Sequence, residues 1–147
     1  MAPPLTQRID FHASAFRHLA DANLLESASR FANSGHLYGL GAECGIKALL
    51  VSHGLPTDVD GSPDKTTGFK VHVNVFAGAV ANLRVFLSGR SGAHYVAMIP
   101  RIGAFADWEV SHRYFAEAAI PQSLPHWKAA AHEVGRMLDQ ARIDGNL

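Results

Sequence analysis

Glu43 and Lys47, four residues apart in the apolar stretch SGHLYGLGAECGIKALLVSH (34–53), have the types and spacing to do acid–base or anion chemistry. On a helix they share a face among Leu40, Cys44, Leu50 and Val51. An exposed pair of this kind stabilises a helix by only about 0.3 kcal/mol. Among apolar neighbours each charge becomes costly unless paired, so the pair reads either as internal structure or as a polar site between helices. A second cluster is WEVSHRY, residues 108–114. One reading makes it a connection between helices anchored by Trp108. The other turns Arg113 and Tyr114 into a groove, where guanidinium and ring bind an anion or a base through charge-assisted hydrogen bonds and stacking. His72, after a long polar loop, is the third candidate.

Other chemistries find less support. GLGAECG (39–45) contains a GxG, but a dinucleotide fingerprint needs a preceding strand, and here the flanking residues continue a helix. The glycines instead suit close helix packing. Nine histidines invite a metal, yet no two are three or four residues apart, so no helix presents a bidentate pair and no metal is expected. Cys44 is the single cysteine, placed in an apolar helix where a thiol is inert, and no GxSxG occurs. No cofactor is expected. An enzyme reading remains in which Arg113 stabilises a phosphate while His72 or His112 transfers protons.

The elements that must position these residues are helices. The 147 residues suffice for one domain with a core. Lys plus Arg and Asp plus Glu number 13 each, which removes the strong basic footprint of non-specific nucleic-acid binding. A lone cysteine, no apolar leader in MAPPLTQRIDFHA and no membrane-length apolar run together suggest a cytoplasmic protein. Residues 1–8 read as a loosely held lead. Phe16, Ala20, Leu24, Ala28 and Phe31 recur at helical spacing, predicting a first helix over about Asp10–Asn33. Ser34 then caps a second helix that ends at Gly54. Residues 54–69 form a long loop. Phe69, Val73, Phe76, Val80, Leu83 and Leu87 predict a third helix, despite a strand-like start. Met98, Ile102 and Phe105 repeat the spacing weakly. Pro125 opens a last helix with the stripe Trp127, Ala131, Val134, Leu138 and Ala141.

In this order the pieces resemble the small bacterial HEPN-domain proteins. The resemblance rests on Arg30, Phe31, Ala32, His36, Leu37, Gly39, Glu43, Cys44, Lys47, Ala48, Leu49 and Leu50, with His72 after the loop and Trp108, Arg113 and Tyr114 beyond it. It spans about Arg17–Ala141. It implies an all-α, up-and-down bundle of four to five helices, often a homodimer. It also implies a nucleotide- or RNA-associated role, in toxin–antitoxin or defence modules or beside a partner nucleotidyltransferase. Catalytic members carry an arginine and a histidine separated by four to six residues. Arg8–His12 and Arg90–His94 enclose three, and His112 directly precedes Arg113. The chain is therefore read as a non-catalytic or accessory member with a ligand site at Glu43, Lys47, His72, Arg113 and Tyr114. The resemblance leaves two alternatives, a metal-independent ribonuclease of a toxin–antitoxin or defence system acting through His72, His112 and Arg113, and a purely structural dimeric protein.

Overall fold

The computed structural model describes residues 8–88 and 92–147, so the expected loose lead falls almost wholly outside the described residues. Among those described the chain is all-α; an isolated bridge between Thr57 and Pro63 is its one extended pairing. No described helix is long and apolar enough to cross a membrane.

Three long helices carry the frame: α1 (Phe11–Ser27), α2 (Phe31–Ser52) and α6 (Leu124–Ile143), with α3 (Val73–Ala77), α4 (Val80–Leu87) and α5 (Gly92–Val96) between. Asp10 caps α1 by accepting from the backbone N–H of Ala13 at 2.9 Å. Each long helix ends in a Schellman turn. After α2, Leu55 N–H reaches Leu50 O and Gly54 N–H reaches Val51 O, both at 3.0 Å, with Gly54 at φ 94°. After α1, Arg30 N–H reaches Leu25 O at 2.8 Å, and Ser29 takes the left-handed position at φ 59°.

That turn corrects two expectations. The first helix stops at Ser27 rather than Asn33, and Ser34 lies inside α2 instead of capping it. Ser34 Oγ donates to Ala22 O at 2.7 Å and so ties the two helices together. The stripe also moves. Ala15, Leu19 and Ala22 form the buried face of α1, while Leu24 and Phe31 are 68% and 54% exposed. The larger side chains drew the stripe to the wrong face, because the core here admits alanines.

α2 is the central element, buried nearly all round, as a helix packed by neighbours on several sides must be. Its contacts fix the directions. Leu19 meets Gly41 and Ser34 meets Ala22, so α1 runs antiparallel to α2. Trp127 meets Gly35 and Val134 meets Gly45, so α6 runs parallel to it. All five residues of the predicted α6 stripe are buried.

The expected third helix is broken at Gly78–Ala79 into α3 and α4, although Val73, Phe76, Leu83 and Leu87 are buried as its seam requires. Residues 102–107 and 110–114 form 3₁₀ turns. Two acids, the buried Glu133 and the exposed Asp107, pin this region to α6. Glu133 accepts from Arg101 N–H at 3.0 Å and pairs with its guanidinium. Asp107 accepts from Trp127 Nε1 at 2.9 Å and pairs with Ser123 Oγ.

Candidate functional site

Glu43 is 7% exposed, in the middle of α2. A carboxylate there needs partners for both oxygens. Oε2 takes Lys47 Nζ at 3.1 Å. Oε1 takes His72 Nδ1 at 2.9 Å and the backbone N–H of Val73 at 3.0 Å. The ionised carboxylate only accepts, so His72 carries its proton on Nδ1. Lys47, equally buried, also lies 5.8 Å from the centroid of the Phe11 ring. The carboxylate thus satisfies the first turn of α3, which has no side-chain cap of its own.

Above this pair sits Trp108, fully buried. Its indole crosses α2 at Gly39, where a Cβ would come within 2.1 Å of Nε1. Only glycine permits this approach. His36, one turn earlier, stacks on Trp108 with centroids 5.0 Å apart and planes 21° apart. His72 lies 6.3 Å from Trp108. Neither ring nitrogen of His36 nor Trp108 Nε1 has a hydrogen-bond partner among the described residues, and all three atoms are buried. Burial lowers the affinity of His36 for a proton, and the positive charges of Arg113 and His112 lower it further.

The turn 110–114 is fastened from within by His112, which is 5% exposed, stacks on Trp127 at 6.0 Å and accepts from Glu109 N–H at 3.3 Å. Its tip faces outward. Tyr114 is 78% exposed, and the Arg113 guanidinium lies 4.9 Å from its ring centroid.

Of the five expected ligand residues, Glu43, Lys47 and His72 form one bonded group. Arg113 and Tyr114 form a second, a guanidinium over a ring. Three cavities of about 490, 470 and 370 Å³ lie elsewhere: between the start of α1 and the end of α2, beside Phe31 and Leu124, and between Arg101 and His126. Among the described residues no cluster of histidine, cysteine and carboxylates could hold a metal. Cys44 has its thiol pushed up to about 11, by burial first and by the Glu43 charge second, which makes it a poor nucleophile.

Two features escaped the sequence. Glu133 sits on the buried row Ala130, Glu133, Met137 of α6, one residue beside the predicted stripe. The second is Arg30–His36, which encloses five residues and meets the arginine–histidine spacing that the other pairs miss. Arg30 is exposed at the entrance to α2, whereas the His36 nitrogens are sealed against Trp108.

Comparison of the chain with protein-family models, curated proteins and solved structures returns no match.

Proposed function

We propose that this protein is a non-catalytic, HEPN-like helical module that binds a phosphate-bearing nucleotide ligand, nucleotide or RNA, at the Arg113–Tyr114 tip. The observation that carries the reading is the guanidinium stacked on an aromatic ring that is itself 78% exposed. An exposed ring with a cation beside it offers a stacking face for a base and a forked donor for a phosphate. The turn beneath is held by His112 and Trp127, so the tip presents this pair with little to reorder. The non-catalytic part is supported by Glu43, whose oxygens are both engaged by the protein itself, and by the buried nitrogens of His36. The up-and-down HEPN bundle, the homodimer and a partner nucleotidyltransferase belong to the same proposal, and rest on the sequence resemblance.

The test is a titration with fluorescently labelled single-stranded RNA and, separately, with ATP. Binding should weaken at least tenfold in Arg113→Ala and in Tyr114→Ala, with thermal stability unchanged. Equal affinity in both variants would sink the assignment.

A ribonuclease is the second reading, favoured by one observation. His72, about half exposed, has Nδ1 tied to Glu43, an arrangement that fixes the orientation of an imidazole for proton transfer. RNA cleavage in EDTA that disappears in His72→Ala would establish it over the first.

A further inference from the structure

Among the described residues, three polar atoms meet without partners in one buried place: both ring nitrogens of His36 and the indole nitrogen of Trp108. A buried polar atom left unbonded costs about 1–3 kcal/mol, so native proteins keep few of them and those few call for a reason. The stack of the two rings is close to parallel, and Gly39 gives it room on α2. As long as His36 is neutral, its flat face covers Trp108 and the cost is that of an uncharged ring.

A proton changes this. The resulting imidazolium would have two N–H donors with no acceptor for either. The groups around it are mostly unfavourable. His18 faces it from α1, and His112 and Arg113 from the 110–114 turn, all able to carry positive charge. His72, at the entrance to α3, shares the same indole. Among the described residues the acid that acts on it is Glu43, whose oxygens are already taken by Lys47, His72 and Val73. The indole face offers some cation–π compensation, about 0.5–2 kcal/mol. Two unsatisfied charged donors cost more than that.

We propose that His36 is a proton-operated lock on the Trp108 segment. Neutral, it clamps Trp108 against Gly39. Protonated, it moves towards water and frees the indole, loosening the segment that runs from Ile102 through the Arg113–Tyr114 tip. The backbones of the three long helices are held by their own contacts, Ser34 to Ala22 between α1 and α2 and Val134 against Gly45 between α2 and α6, and stay in place. The lock is independent of whatever the tip binds.

The chain has two tryptophans, so the indole N–H signals of the ¹⁵N-labelled wild-type protein report on Trp108 and Trp127 separately. They are followed from pH 8 to pH 4.5, together with the His36 ring carbons and the far-ultraviolet helix signal. The expected result is a Trp108 shift with the same midpoint as His36, below pH 6.5, while the helix signal holds. In His36→Phe, which keeps an aromatic stack without a titrating group, the Trp108 step should vanish. Three results would overturn the lock: His36 titrating with Trp108 unmoved, the Trp108 step persisting in His36→Phe, or helix loss at the same midpoint, since the event is then global unfolding. The wild-type titration stands alone should His36→Phe fail to fold.

Discussion

The backbone N–H of Val73 donates to Oε1 of Glu43 at 3.0 Å, across thirty residues of chain. A side chain in the middle of one helix thereby serves as the cap of another. It explains why an acid is tolerated inside α2 and why the 54–69 loop returns to the place it does. Asp58, Asp60 and Asp64 support that loop with hydrogen bonds to Ser62 and Thr66, but its far end is fixed by the carboxylate.

Removing the acid should therefore cost more than a surface pair. Glu43→Ala leaves Lys47 buried without its anion and Val73 without an acceptor. A loss of about 3–5 kcal/mol is expected in urea unfolding. The double variant Glu43→Leu with Lys47→Met removes both charges and should recover a large part of it. No recovery would mean that capping α3, not charge pairing, dominates.

The glycines of the chain separate by what a methyl group would meet. At Gly39 it would collide with the Trp108 indole. Gly39→Ala should displace the ring, cost about 1–3 kcal/mol and change the near-ultraviolet circular dichroism. At Gly135 in α6 the nearest atom is Leu19 Cδ1 at 3.4 Å, an ordinary contact. Gly135→Ala should leave stability unchanged or raise it by up to about 1 kcal/mol, from helix propensity alone. Equal thermal melting of the two variants would refute the close approach at Gly39.

The pattern of helices was legible because periodicity survives in long segments. α6 shows every stripe residue buried, since Pro125 marks its start and Trp127 fills the first core position. α1 was misplaced because its core residues are mostly alanines, which carry little hydrophobic signal, and because its break is a serine in a left-handed turn where a glycine would have announced itself. The Glu43–Lys47 pair was visible through its i, i+4 spacing. His72 joined that pair in one expected site, but the direct bond between His72 and Glu43 was not legible, because a contact across twenty-nine residues leaves no local mark. The same holds for Trp108 over Gly39: the glycine showed that something comes close, but not what.

Acid should weaken the fold in two stages. His18, His36 and His132 each have a lowered proton affinity, in every case through burial first. In the unfolded chain these rings protonate near 6.5, while in the folded protein they resist to lower pH. The unfolded state thus binds more protons in that interval, and stability falls as pH drops below about 6.5. Glu26 and Asp144 are held below the usual carboxylate range by hydrogen bonds, from Lys128 and from Tyr95 respectively. Their contribution is present above the ordinary carboxylate pKa and disappears only in stronger acid. Urea midpoints at pH 7.5, 6.5 and 5.5 should fall progressively, with the larger drop between the last two. A midpoint flat from pH 7.5 to pH 5.5 would contradict the burial of these imidazoles.

The junction of α1, α2 and α6 turns on one hydroxyl. Tyr38 is fully buried, and its OH lies 2.6 Å from Asn23 Oδ1 and 3.1 Å from Glu26 Oε2. Having one proton, it donates along the shorter contact. Asn23 Oδ1 also meets His132 Nε2 at 3.0 Å, and Glu26 meets Lys128 Nζ at 2.7 Å, so α6 reaches α1 through the same acceptors. Burial and the Glu26 charge push the phenol up to about 12. In a spectrophotometric titration of the three tyrosines, Tyr38 should ionise only near pH 12. Tyr38→Phe should cost about 1 kcal/mol, because Asn23 and Glu26 keep their α6 donors and are not stranded. A loss above about 3 kcal/mol would show that the hydroxyl organises the whole junction.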